Sequence, residues 1–536
     1  MRRRPLMLII GFAVVAMLGY WLAGTATPRK VVRDSPPKPL EPKWSGIIDE
    51  PPPKFRKADR GPAFRRDDAA SNAGALPGQR ILVFKDQSAL EGFLKRAGDK
   101  VRLLGRLDAL NALRIGFSDA DELAALLGEE GEQSLVFPVD LPPPPGEGTA
   151  QAGAVPLGAG LLEWLGVSGD NSAWGSGVRI AILDTGVTAS PAFGSKISSL
   201  DLIDPASGPT KNGHGTAVAS MIIGQNSLTP GVAPAADIVS IRIANDLGQS
   251  DSFLLAQGIV AAVDAGARLI NISMGSLGDS ALVRNAIAYA RDAGSQIIAA
   301  AGNNGLQQVS YPAANEGVIA VGAVDALGNH LDFSNSGNQL AISAPGFGVN
   351  AAWLGDQAAR VSGTSFSSPI VTGAIAALMS QPGAAKLTAN QAVNLLFAYL
   401  NDGGEAGQDP ALGGGMPDLG RAMNAKTRGI YDAALASQRI IPPSPGNPNG
   451  QIEILVQNRG TETLINTGVR ISTPNGVVNS NITSLPVNGV QTIRVPIPEK
   501  SASLHYDSRV NLSGDHQDAK PANDRRVETY VPAGSK

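Results

Sequence analysis

An aspartate, a histidine and a serine stand at the edges of regular elements in one chain order, at Asp184, His214 and Ser365. Ser365 lies in Gly363-Thr364-Ser365-Phe366-Ser367-Ser368-Pro369, which runs into the small, apolar pattern 370–378. That pattern reads as a buried helix with the serine in its first turn. Pro369 costs little there, because the first amide hydrogens of a helix have no intrahelical partner. The free N–H groups and the dipole at a helix start favour the negative charge that develops when a serine oxygen attacks a carbonyl. Taken alone, the same residues could be a Ser-rich helix cap without chemistry.

Two further stretches supply the partners of a nucleophile. The apolar run 177–183 reads as a strand that delivers Asp184-Thr185-Gly186 at its carboxyl end. Asn212-Gly213-His214-Gly215-Thr216 then opens a second helical pattern. A serine needs a base to take its proton, and the base needs a carboxylate to hold its tautomer and stabilise its charged form. The chain has four histidines; of the two within this segment, His214 and His330, His214 is flanked by glycines that let a substrate approach.

On Asp184-Thr185-Gly186, His214-Gly215-Thr216 and Gly363-Thr364-Ser365 with Pro369, the segment 157–425 resembles the subtilisin-type serine proteases. The resemblance implies that Ser365 is the nucleophile, His214 the general base and Asp184 the residue that orients it. It also implies an oxyanion-hole asparagine. Ala299-Ala300-Ala301-Gly302-Asn303-Asn304-Gly305 matches that context and nominates Asn303 over Asn304, acting with the Ser365 backbone N–H. The stretch 268–276 matches the family segment that pairs with an extended substrate, and it places Ser273, Met274 and Gly275, with Gly302, along the first pocket. None of these four is acidic, so an apolar or broad preference at the cleavage position is expected.

There are departures. Phe366 follows the nucleophile where the family often has methionine, giving a bulkier wall without an oxidisable sulfur. No cofactor is expected, and calcium is not supported. The loop 225–230 carries no acidic residue, whereas hard calcium sites take several oxygens, usually with carboxylates.

At 536 residues the chain should form several units. A net charge of −3 gives no reason to invoke nucleic acid, and the absence of cysteine excludes disulfides and thiolate chemistry. Residues 1–26 read as a signal peptide or membrane anchor. Arg2-Arg3-Arg4 precedes the uncharged stretch 6–23, which at ~1.5 Å per residue nearly crosses a ~30 Å hydrocarbon core. The rest is expected to be exported, as a membrane-held enzyme with an extracytoplasmic catalytic domain or a periplasmic or secreted one after processing. Residues 27–78 are rich in proline, including Pro36-Pro37 and Pro51-Pro52-Pro53, and read as a linker.

Residues 79–141 read as strand, helix, strand, strand, helix, strand, with the last strand at 134–137. By pattern and position this α+β unit resembles the inhibitory prodomain of subtilisin-type enzymes. The chain's own prodomain would then be a transient inhibitor, and 142–158 the link that holds the processing site. In 159–440 strands and helices alternate, so the fold class is α/β with a mostly parallel, doubly wound sheet. In 441–536 the pattern turns to period two, an all-β sandwich similar to bacterial cell-adhesion-related domains. The expected function is an exported, autoprocessed serine endopeptidase acting on protein or peptide substrates, with the membrane as a partner through the N-terminal segment. A non-catalytic surface scaffold on a protease fold is the alternative.

Overall fold

The computed structural model describes residues 47–49, 70, 73–142, 153–194, 197–203, 208–381, 385–441, 448, 450–473, 476–497 and 504–530. The N-terminal apolar stretch, most of the proline-rich linker and residues 143–152 of the link lie outside the described residues. Among the described residues no helix is long and apolar enough to cross a membrane.

The catalytic unit is built on a seven-stranded parallel sheet. Its strands run in the spatial order Leu340–Pro345, Val318–Val324, Gln296–Ala300, Leu269–Ile272, Arg179–Asp184, Asp237–Arg242, Ile197–Asp201. Both faces are covered, as the near-continuous apolar runs require. Ala181, Leu183, Ile270, Ile272, Ile297 and Ala299 pack with the helices Ser252–Asp264 and Ala281–Asp292. Their sequence neighbours Ile180, Ile182, Leu269 and Ile298 are equally buried. The period of two turns these to the opposite face, where the helix Thr364–Met379 covers Leu269–Ile272 and Gln296–Ala300 and the helix His214–Ile223 covers Arg179–Asp184. All sixteen residues of that helix are buried, which is why its sequence is small and apolar all round. The strand Arg179–Asp184 sits where the order reverses, with later strands on both sides, and the crevice at the carboxyl ends of such strands is where open α/β sheets bind ligands.

The α+β unit has the expected element order, with a four-stranded antiparallel sheet ordered Arg102–Leu107, Ala112–Gly116, Gln79–Phe84, Gly131–Ser134. One face packs Leu82, Leu113 and Ile115 under the two helices Gln87–Ala97 and Ala120–Leu127, with Leu90, Phe93 and Leu123. On the other face Ile81, Leu107 and Ala112 share a core with Phe253 and Ile259 of the catalytic unit. The fourth strand is Gly131–Ser134 rather than 134–137. Leu135-Val136-Phe137 leaves the sheet, because Val136 is buried in the shared core. A short strand, Ile47–Asp49, also occurs in the stretch read as linker, pairing in parallel with Gln357–Val361.

The C-terminal unit packs a three-stranded sheet (Ala433–Ile441, Gln451–Asn458, Val490–Pro496) on a four-stranded one (Gly476–Leu485, Leu464–Thr473, Leu504–Asn511, Arg525–Tyr530). Ile454, Val456, Val469, Ile471 and Tyr506 lie between them. Its first strand begins at Ala433, ahead of the expected boundary at 441, because the alanine-rich start of that strand finds its pairing in Gln451–Asn458. Arg421 locks this unit to the catalytic one. Nearly buried, it donates to Tyr399 O, Leu400 O and Asn401 Oδ1 on one side, and to Arg459 O and Asn488 Oδ1 on the other.

Candidate active site

Asp184 ends the strand Arg179–Asp184 as a fully buried carboxylate, so every lone pair it exposes needs a donor. Thr185 supplies its backbone N–H at 2.7 Å and its hydroxyl at 3.1 Å. His214 completes the set, its Nδ1 lying 2.9 and 3.0 Å from the two carboxylate oxygens. A carboxylate on Nδ1 holds the proton there and leaves Nε2 to act as a base. The pair can approach this closely because residue 215 is glycine: a Cβ there would stand 2.4 Å from Gly186 O and 3.2 Å from Asp184 Oδ1.

Ser365 is buried in the first turn of the helix Thr364–Met379. The next residue, Phe366, packs its ring on His214 with centroids 5.3 Å apart. Helix and sheet are tied by a buried polar network. Asn271 Oδ1 accepts from Ser368 Oγ at 2.8 Å and Thr372 Oγ1 at 3.1 Å, while its amide donates to Ser273 Oγ at 3.0 Å. Ser273 Oγ in turn donates to Ser365 O at 2.8 Å. The Ser365 hydroxyl donates to Ser273 O at 3.1 Å.

Asn303 is oriented from behind. Its Oδ1 accepts from Thr364 N at 2.9 Å and Thr364 Oγ1 at 2.8 Å, which turns Nδ2 towards Gly363. Gly363 has φ +138, and a Cβ there would come within 2.7 Å of that Nδ2. Thr364 also accepts from Gly302 N at 3.1 Å, and the chain at Gly302, φ +108, lies against Asn335 and Ser310. Asn335 Oδ1 fastens the following loop by accepting from Asn304 N and Leu306 N, both at 3.0 Å. Thr364, Asn335 and Asn271 are supporting residues that motif reading did not single out.

Of the expected pocket residues, Gly275, which follows Ser273 and Met274, forms one rail through its backbone, and Gly302 lies in the loop held by Thr364 and Asn335. A second rail, Gln249–Asp251, was not anticipated. Between the two rails lies the tail of the α+β unit, Pro138–Asp140, paired antiparallel with Gln249–Asp251. On the other side Asp140 and Gly275 exchange both backbone hydrogen bonds at 3.0 Å, and Leu141 N donates to Gly248 O at 2.9 Å. Val139 is buried in the shared core. The segment expected to recognise an extended peptide thus holds one, supplied by the same chain.

In the loop 225–230 the Asn226 side chain is turned inward, its Oδ1 accepting from Leu228 N, Thr229 N and Thr229 Oγ1.

The family model of the subtilase family matches residues 175–415, which span all four catalytic candidates. The chain is 36% identical over 252 residues to a thermostable alkaline protease of Halalkalibacterium halodurans, covering 46% of this chain and 68% of that protein. It is 31% identical over 319 residues to an alkaline protease of Shouchella clausii, covering 58% and 83%. Subtilisin Savinase of Lederbergia lenta is 37% identical over 209 residues, covering 39% and 77%. Among solved structures, the epidermin leader peptide processing serine protease of Staphylococcus aureus shares the fold, with a TM-score of 0.54, 20% identity, and coverage of 65% of this chain and 98% of that one. The chain belongs to the subtilase family and is a subtilisin-type serine endopeptidase.

Proposed function

We propose that the protein is an exported endopeptidase that works through Ser365, His214 and Asp184 and is made as a zymogen held off by residues 79–142. The observation that carries the reading is the Asp184–His214 pair at 2.9 and 3.0 Å, with the imidazole tilted against the ring of Phe366, the residue that follows Ser365. When a substrate carbonyl is presented, His214 Nε2 takes the Ser365 proton as the oxygen attacks, and Asp184 stabilises the imidazolium. In this reading the oxyanion is received by the Asn303 amide and the Ser365 N–H. His214 then returns the proton to the leaving amine, and water hydrolyses the acyl-enzyme by the same route. Main-chain pairing to both rails makes the recognition one of extended backbone, with side-chain pockets setting preference.

Export rests on Arg2-Arg3-Arg4 and the apolar stretch 6–23. A cut in the link 142–158 parts the catalytic unit from that stretch and turns a membrane-held precursor into a free protease. The test is labelling with a serine-directed fluorophosphonate after thermolysin, a metalloprotease that the probe does not touch, has digested the α+β unit. Wild type should label and Ser365→Ala should not. An unlabelled wild type would leave the non-catalytic scaffold as the reading.

A further inference from the structure

The pairing of the tail with Gly275 sets which residue meets the nucleophile. Asp140 and Gly275 form a doubly hydrogen-bonded antiparallel pair. In such a ladder the next doubly bonded pair lies two residues further along each strand. Two steps forward from Asp140 is Pro142, and two steps back from Gly275 is Ser273. Leu141 keeps the tail extended up to that point through its bond to Gly248 O. Ser273 is also the residue whose carbonyl lies 3.1 Å from the Ser365 hydroxyl. Carried on by this step, the register directs the carbonyl of Pro142 at Ser365, and the bond that follows it is Pro142-Pro143.

From this register we infer that the prodomain tail is an inhibitor the enzyme does not cut at the bond it presents. The inference rests on the zymogen reading above and names its regulation. Pro142 has no N–H, so it cannot make the hydrogen bond to Ser273 O that any other residue at this position would donate. The vacated acceptor takes the Ser365 hydroxyl instead, and the nucleophile's proton points at a carbonyl rather than at His214. The second obstacle is the leaving group. The nitrogen of Pro143 belongs to a tertiary amide, with a ring carbon where a secondary amide carries hydrogen, so His214 would have to protonate a crowded nitrogen. The tail thus fills both rails with good main-chain pairing while withholding a cleavable bond. The precursor stays shut until the chain is cut at some other bond, and the mature enzyme does not begin at Pro143.

The experiment uses the full chain with a tag after Lys536 and reads the N-termini of tagged fragments by mass spectrometry. Wild type should give no fragment beginning at residue 143. P142A/P143A, which restores the N–H and a secondary amide, should go from no such cut to near-complete conversion, and adding S365A should abolish it. A Ser365-dependent fragment beginning at Pro143 in wild type overturns the inference. So does a P142A/P143A chain that takes the fluorophosphonate after thermolysin digestion yet yields no end at 143, because the register would then be wrong. If no chain labels, the protease reading fails and the inference falls with it.

Discussion

Arg114 of the α+β unit donates to Asp251 Oδ2 at 2.6 Å, while Asp251 Oδ1 caps the catalytic-unit helix Ser252–Asp264 through Phe253 N and Leu254 N. Both side chains of this ion pair are largely shielded from solvent. Beside it, Gly105 lies so close to Phe253 that a Cβ would stand 2.6 Å from the ring. Truncating one partner of a buried charge pair costs about 2–5 kcal/mol. Asp251 keeps its helix donors, so the lower end applies, and Arg114→Ala should raise roughly 30-fold the fraction of chains whose α+β unit has lifted off the catalytic one. The rate of fluorophosphonate labelling of the intact chain reads that fraction directly. An unchanged rate would mean that the pair does not hold the α+β unit down.

Ser365→Ala and His214→Ala should each lower kcat by about 10⁶, the size of loss known for subtilisin itself, and the double variant should lose little more than either alone. Peptide hydrolysis by the thermolysin-digested chains measures this. Losses that multiply would show that the two residues do not share one proton path.

Asn303→Ala should lower kcat about 10²–10³-fold, again the family's own magnitude, with KM nearly unchanged, since the donor acts on charge that exists only in the transition state. Thr364→Val keeps the backbone bond to Asn303 Oδ1 and removes the hydroxyl one. It should cost about tenfold in kcat by loosening the amide it orients. A Thr364→Val loss that appears in KM instead would assign the threonine to ground-state binding.

The β-sandwich should be less stable at neutral than at mildly acid pH. Burial, then the neighbouring carboxylates of Asp518 and Asp432, push Asp524 up to about 7. Its acid form is favoured by the fold, so this stabilising contribution is fully present below the ordinary carboxylate range and is lost as pH rises through about 7. Burial raises Asp432 in the same direction, with Asn523 opposing. The urea midpoint of the C-terminal unit should therefore fall between about pH 4 and pH 7. Asp524→Asn should flatten that slope, and a slope equal to wild type would place the titration on another group.

What motif reading could reach was set by how local each feature is. Asp184, His214 and Ser365 sit where a strand or helix meets a glycine-bearing turn, and both the apolar run and the turn are adjacent in the chain. The alternation of strands and helices fixed the parallel sheet for the same reason. The second rail was out of reach, since Gln249-Ser250-Asp251 has no periodicity of its own and is a strand only because Pro138–Asp140 lies against it. Asn335 and Thr364 matter through partners about thirty to sixty positions away. The start of the sandwich at Ala433 was hidden because Ala433-Ala434-Leu435-Ala436 carries small side chains whose extended form comes from pairing with Gln451–Asn458.

The five acceptors of Arg421 have a mechanical meaning. An arginine that is spent on carbonyls and amides of two units, and is itself nearly buried, works as a rivet between them. The sandwich is therefore not a flail on a tether but a rigid extension of the catalytic body. A surface that held the sandwich would through this contact also fix the bearing of the active site.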